Sequence, residues 1–354
     1  MSNYITKLYS QLTGHTFEEA IFTFQQLEVK NPRTGDLFFE TYGVPNTIEI
    51  ANLPYERFIC YEYLLQLLSK EDSNKFSAIH KGTPYYFLAW TSFDIRNYSK
   101  SVFYMDSALG EDIRKNSILS VSAEDKAREA LGNPGGNLWK LTPGGPATRI
   151  IQQLSELITR SLHSFNSRIS EDLSFDTFIN QFVIENIVKD EKNRSLVSAL
   201  YSYLAEAEDL YATLKIRSQG LSSIEPYLMN LFKGGLIFET LLKTLSSQNS
   251  WTVPRRGRNV PPTTIGAFKR CSDFLTLFGL SENDVTTSAT DLSIILAGSM
   301  NDDIKTSFSI VAQLRNLSGH DLRRDDVFQN PNDYKKLVEK EINAIYVVIS
   351  KGFA

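Results

Sequence analysis

The sequence predicts an all-α fold. Apolar residues recur at helical spacing along most of the chain, strand-like alternation is scarce, and the periodic stretches are separated by proline, glycine and asparagine. With 354 residues, 42% of them hydrophobic, the chain is long enough for more than one cored domain. Cys60 and Cys271 lie far apart without CxxC spacing, so neither a disulfide framework nor a zinc site is expected, and a reducing compartment fits. The opening MSNYITKLYSQL lacks the apolar core of a signal peptide, and no stretch approaches the length that spans a bilayer. A cytoplasmic protein with no membrane contact is therefore expected. A net charge of −4 excludes a protein that coats nucleic acid by bulk positive charge, while a local basic site stays open.

The first elements follow from spacing. Phe17, Ala20, Phe24 and Leu27 share one helical face, and Asn31-Pro32 stops that helix. The stretch from Asn31 to Pro54 has turn residues, further prolines and little periodicity. It reads as a long connection with a short strand pair around Leu37 to Tyr42. Tyr55 to Ser69, dense in Leu, Tyr and Phe, reads as a buried helix. In Gly82 to Asn116, Tyr85, Leu88, Ala89 and Phe93 fall on one helix, Asn97-Tyr98 makes a turn, and Ser101, Met105 and Ala108 fall on a second helix. The small Ala89, Ser101 and Ala108 stand where the two helices must approach. This unit resembles a tetratricopeptide repeat, and residues 1 to 32 fit the same offsets around a turn at Gly14-His15-Thr16-Phe17. Tyr85, Tyr86, Phe87, Trp90 and Phe93 read as the core of that hairpin, and His15, His80 and His163 read as structural, without evident partners.

Residues 132 to 148 contain the GNPGGNLWKLTPGGP run, a composition unable to sustain a helix or strand interior. It lacks GxxxxGK[ST] and GxGxxG, so it reads as a linker. The expected organisation is a tetratricopeptide-like helical domain at 1–131, the linker at 132–148 and a second helical domain at 149–354. In the latter, one stripe is Ile150, Leu154, Leu157, Ile158 and Leu162; another is Phe175, Phe178, Ile179, Phe182 and Val183. Leu196, Leu200, Tyr203, Leu204, Tyr211 and Leu214 predict a longer helix. Glu225 to Leu245 carries the next, and its Gly234-Gly235 either breaks the helix or lets a neighbour pack closely. Pro254 to Pro262 reads as a basic, proline-bracketed loop. Its Arg255, Arg256 and Arg258 either contact an RNA backbone or are simply solvated. A helix over Phe268 to Phe278 follows, then one from Asn301 to Gly319, then a last helix with Tyr334, Leu337, Val338, Ile342, Ile345 and Ile349 on one side.

The helix from Asn301 carries the chemistry. Ile304, Phe308 and Val311 form its apolar stripe, and the next position on that stripe is Arg315. Gly319 suits the left-handed residue that closes a helix, which folds the following residue, His320, back towards Arg315. A titratable imidazole is thus expected beside a permanent cation at a helix end.

Arg315-Asn316 followed by His320, at the end of the penultimate helix of an all-helical domain, resembles the active motif of HEPN-superfamily ribonucleases. The resemblance spans roughly Ile150 to Ala354, with the readable match in its final third. It implies metal-independent RNA cleavage without a cofactor, by a homodimer in which two motifs face each other. Such members act in toxin, abortive-infection and antiphage systems, with a regulatory ligand or protein expected at the N-terminal helical domain. Arg315 would stabilise charge on the phosphate, His320 would transfer protons and Asn316 would orient the phosphate or the imidazole. Because the ribose 2′-hydroxyl attacks, RNA and not DNA is the expected substrate. Arg323 and Arg324 would offset Asp321 next to His320 and add RNA contacts. The alternative is a non-catalytic, all-helical interaction protein whose bundle keeps the shape without the activity.

Overall fold

The computed structural model describes residues 2–30, 33–44, 52–116, 139–141, 148–188, 191–216, 224–286, 288, 292–317 and 330–353. The fold is all-α; two three-residue strands make up its β structure among the described residues. The chain divides into two compact units, Met1–Gln153 and Leu154–Ala354. Most of the glycine- and proline-rich stretch at 132–148 lies outside the described residues.

In the first unit, α1 (Ser2–Thr13) ends at Gly14, whose φ of 75° is open to glycine at no steric cost. Thr16 and Glu19 then form a reciprocal capping box that starts α2 (Phe17–Gln26). The expected strand pair around Leu37 to Tyr42 is instead α3 (Arg33–Tyr42). Its Phe38 and Tyr42, four apart on one helical face, have ring centroids 5.2 Å apart, and Phe38 also meets Phe24 of α2. Tertiary burial of Phe38 and Phe39 outweighs the surrounding turn residues.

Pro54 opens α4 (Pro54–Glu71) at a position where its missing N–H costs nothing. Asp72 caps α5 (Ser73–Ala78). Then α6 (Gly82–Asp94) and α7 (Tyr98–Asn116) form a tight hairpin. Ala89, Ser101 and Ala108 are buried at its seam, where the Ser101 hydroxyl donates to the Ala89 carbonyl at 2.8 Å. Tyr86, Phe87 and Phe93 are buried there and Trp90 is half-buried.

His80 is not partnerless. It is buried, with Nδ1 2.6 Å from Asp36 of α3 and Nε2 3.3 Å from Asp112 of α7. A Cβ on Gly35 would stand 2.3 Å from the His80 carbonyl oxygen and 2.8 Å from its nitrogen. Both are backbone atoms that cannot swing aside, so Gly35→Ala is expected to cost about 3 kcal/mol, at the upper end of overpacking effects. Denaturant unfolding checks this; a neutral variant would mean that α3 does not sit against residue 80. His15 also has neighbours, Glu19 at 3.7 Å and the Tyr42 ring, whereas His163 is exposed.

The second unit takes most of α8 (Thr148–Ile169), whose Ile150, Leu154, Ile158 and Leu162 are buried. A single turn, α9 (Phe175–Thr177), passes into a π-helix (Phe178–Val188), a rare geometry at this length. The core of the unit is formed by α10 (Glu191–Ile216), α11 (Glu225–Gln248), α15 (Ile304–Leu317) and α16 (Pro331–Gly352), with α11 and α16 each packed on the other three. Before α15 the chain forms β1 (Val253–Arg255), β2 (Arg258–Val260), α12 (Ile265–Phe268), α13 (Ser272–Phe278), a 3₁₀ turn (Glu282–Asp284) and α14 (Leu292–Ala297).

Four sequence expectations are corrected here. The basic loop at Pro254 to Pro262 is a β-hairpin, closed by positive φ at both Arg256 and Gly257 as a type I′ turn requires. Phe268 to Phe278 is two short helices, interrupted at Lys269–Cys271. α15 starts at Ile304, not Asn301, because the Asp303 carboxylate accepts from the Thr306 N–H and caps it. Finally, α16 is buried nearly all round its C-terminal half rather than on one side. Four elements enclose it, so Lys340, Glu341 and Asn343 are buried with the apolar residues, while Ile342 is half-buried.

Candidate functional site

Arg315 lies in the last turn of α15, next along the stripe after the buried Phe308 and Val311. It meets α11, which runs unbroken through Gly234-Gly235. A Cβ on Gly235 would stand 3.0 Å from the Arg315 Cβ and 3.2 Å from its Cα, so this glycine sets how closely the two helices approach. On the same face of α11, at helical spacing from Gly235, stand Phe232 and Glu239. The guanidinium carbon lies 4.9 Å from the centre of the Phe232 ring, and Nε donates to Glu239 Oε2 at 2.9 Å.

Glu239 serves two cations. Its Oε1 lies 2.7 Å from Lys243 Nζ, one turn further along α11. Lys243, Glu239 and Arg315 therefore sum to one net positive charge. Glu239 is nearly enclosed, at 8% side-chain exposure, while Arg315 keeps 28% and Lys243 44%. Among the described residues Nη1 and Nη2 of Arg315 make no hydrogen bond. The carboxylate grips the guanidinium through Nε and leaves the outer pair of donors without a hydrogen-bond partner among the described residues. That arrangement suits two oxygens of a phosphate, which a guanidinium binds in pairs.

Asn316, next to Arg315, is exposed. His320, Gly319, Arg323 and Arg324 lie outside the described residues. Arg255, Arg256 and Arg258 are exposed on the β-hairpin, on a different element from Arg315. Phe232, Glu239 and Lys243 were not among the residues that the sequence singles out; the adjoining Gly234-Gly235, marking a close approach on that helix, was the available signal.

Among the described residues no group of three or more His, Cys, Asp or Glu side chains could hold a metal ion. No described helix is long and apolar enough to cross a membrane. Cys60 and Cys271 are both free and buried; burial pushes the Cys60 thiol up to about 12, which keeps it protonated and unreactive. Comparison with protein-family models, with curated proteins and with solved structures found no match for the chain.

Proposed function

We propose that the chain is a metal-independent endoribonuclease of HEPN type, active as a homodimer. The observation that carries this reading is Arg315, held from behind by Glu239 and Phe232, with neither terminal nitrogen hydrogen-bonded among the described residues. The second unit then supplies the catalytic bundle. The helical hairpins of the first unit supply a tetratricopeptide-like surface for a regulatory protein or ligand, in keeping with a toxin or antiphage role.

In the proposed reaction the ribose 2′-oxygen attacks the adjacent phosphorus, and its proton passes to His320 of one copy. The bond from phosphorus to the 5′-oxygen breaks, and that oxygen takes a proton from His320 of the other copy. The products are a 2′,3′-cyclic phosphate and a 5′-hydroxyl. Arg315 holds the non-bridging oxygens as charge builds on them, and Asn316 orients the phosphate. One motif histidine per chain and two proton transfers per turnover give the dimer its purpose.

A second reading has its own support. An ion pair of 2.9 Å joining α11 to α15 is also what an arginine with a purely architectural duty would make. Incubation of the purified chain with single-stranded RNA in the presence of a chelator separates the two. The nuclease reading expects cleavage with cyclic-phosphate ends, lost in His320→Ala while fold and oligomeric state persist. No cleavage by the native chain, or equal cleavage by the variant, would leave only the helical scaffold.

A further inference from the structure

We infer that the β1–β2 hairpin is the docking element for a single-stranded RNA backbone, so that substrate is held by a projection distinct from the reacting Arg315. The inference deepens the nuclease reading and rests on it only for the choice of RNA as ligand.

Charge along the chain is uneven. Between Glu239 and Asp273 there are six Lys or Arg and no Asp or Glu, a local charge of +6 in a chain of net −4, so the remainder carries −10. Half of those six cations, Arg255, Arg256 and Arg258, stand on the hairpin. All three are exposed and none forms an ion pair among the described residues. Some exposed cations of the second unit find carboxylates, as Arg160 does with Glu208 and Lys305 with Asp284, whereas the hairpin gathers three that do not onto one tip.

The geometry of the hairpin sharpens the argument. Arg255 and Arg258 are directly paired across the ladder, so both side chains leave the same face, with Cα atoms about 5 Å apart. Like charges placed opposite one another destabilise a hairpin. Arg256 adds a further cost by adopting a φ of 50°, a left-handed conformation that arginine seldom takes. An isolated two-stranded hairpin has little stability to spare. This one is pinned at its base by the buried Trp251 and Val253, not by its tip. Three unneutralised guanidiniums on a strained tip with a fixed base are relieved by a polyanion.

The kind of polyanion follows from what the tip lacks. Pro254 to Asn259 is exposed throughout and presents no aromatic or branched aliphatic side chain. A membrane-binding element would need an apolar wedge beside its charges, and a protein interface would need an apolar or aromatic anchor. Guanidiniums alone match phosphates read without regard to base sequence.

The test compares the native chain with Arg255→Gln, Arg256→Asn and Arg258→Gln combined; asparagine tolerates the left-handed turn position, so the hairpin keeps its shape. Binding is followed by fluorescence anisotropy with a labelled 2′-O-methyl single-stranded RNA, which cannot be cleaved. The slope of log affinity against log salt should flatten by about 2, from three phosphate contacts at roughly 0.7 each. Native and variant affinities should consequently differ on the order of tenfold more at 50 mM than at 200 mM salt. With RNA limiting, cleavage of the unmodified strand should fall in step with the lost affinity. An unaltered slope, or binding to phosphatidylserine vesicles in preference to RNA, overturns the hairpin assignment. If the native chain never cleaves RNA yet the slope flattens as stated, the nuclease reading fails and the hairpin assignment stands.

Discussion

Arg315→Ala is expected to lower kcat/KM for RNA cleavage by about 10²–10³-fold, the range seen when one charge-stabilising donor is removed from an active site. The fold should survive. Alanine retains the Cβ that packs at Gly235, and Glu239 keeps Lys243 as its counter-ion, so the cost in stability is about 1–2 kcal/mol. Arg315→Lys separates binding from chemistry. One ammonium cannot reach back to Glu239 and still offer paired donors outwards, so KM should stay near the native value while kcat falls. Glu239→Gln is the complementary change. Its amide oxygen can still accept from Nε, but the local charge rises from +1 to +2, so RNA should bind more tightly at low salt while turnover drops through looser aiming of the guanidinium. Single-turnover kinetics at saturating and limiting RNA read these effects. Native rates in Arg315→Lys would mean that the paired donors contribute nothing, and native rates in Arg315→Ala would remove Arg315 from the mechanism.

Half of that site was legible in the sequence. Arg315 was found because helical spacing is a local property: Ile304, Phe308 and Val311 fix the stripe, and the guanidinium is simply its next member. Glu239 was not found, because its relation to Arg315 is a tertiary one across 76 positions, and a glutamate one turn before a lysine reads as an ordinary helix-surface pair. The elements divide in the same way. α6 and α7 were readable, since the small Ala89, Ser101 and Ala108 declare a close seam. α3 was hidden by Gly35 and nearby prolines, and it exists because Phe38 and Phe39 are buried, which no local rule foretells. The hairpin was hidden because Arg256-Gly257 is a poor match to the Asn-Gly or Asp-Gly signal of a type I′ turn. His80 shows the same limit. Its two carboxylates come from helices 44 positions before it and 32 after it, so the imidazole looked solitary until the helices were placed.

The second large effect is expected at Glu341, and it appears as a dependence of stability on pH. Glu341 is fully buried on α16 against Gly234 of α11, where any Cβ would stand 2.3 Å from its Oε2. That oxygen accepts from the Tyr203 hydroxyl at 2.8 Å, and Oε1 has no hydrogen-bond partner among the described residues. Burial pushes the carboxyl well above the ordinary carboxylate range, and the Tyr203 hydrogen bond offsets only part of the shift. The folded state therefore keeps a proton that the unfolded chain releases near pH 4.3. Below that value both states are protonated and the residue is neutral in its effect. Above it the unfolded state binds fewer protons than the folded one, so stability falls as pH rises, by about 1.4 kcal/mol per pH unit until the native carboxyl itself titrates. Glu341→Gln has the same shape and cannot ionise, so its stability advantage over the native chain should grow as pH rises from 5 towards 7. Denaturant titrations at several pH values measure that gap, and hydrogen exchange at the amides of α16 assigns it to the second unit. A gap that stays flat across this range would mean that Glu341 is already ionised when folded, with water or a counter-ion reaching Oε1, and the interior of the four-helix core would then be open rather than dry.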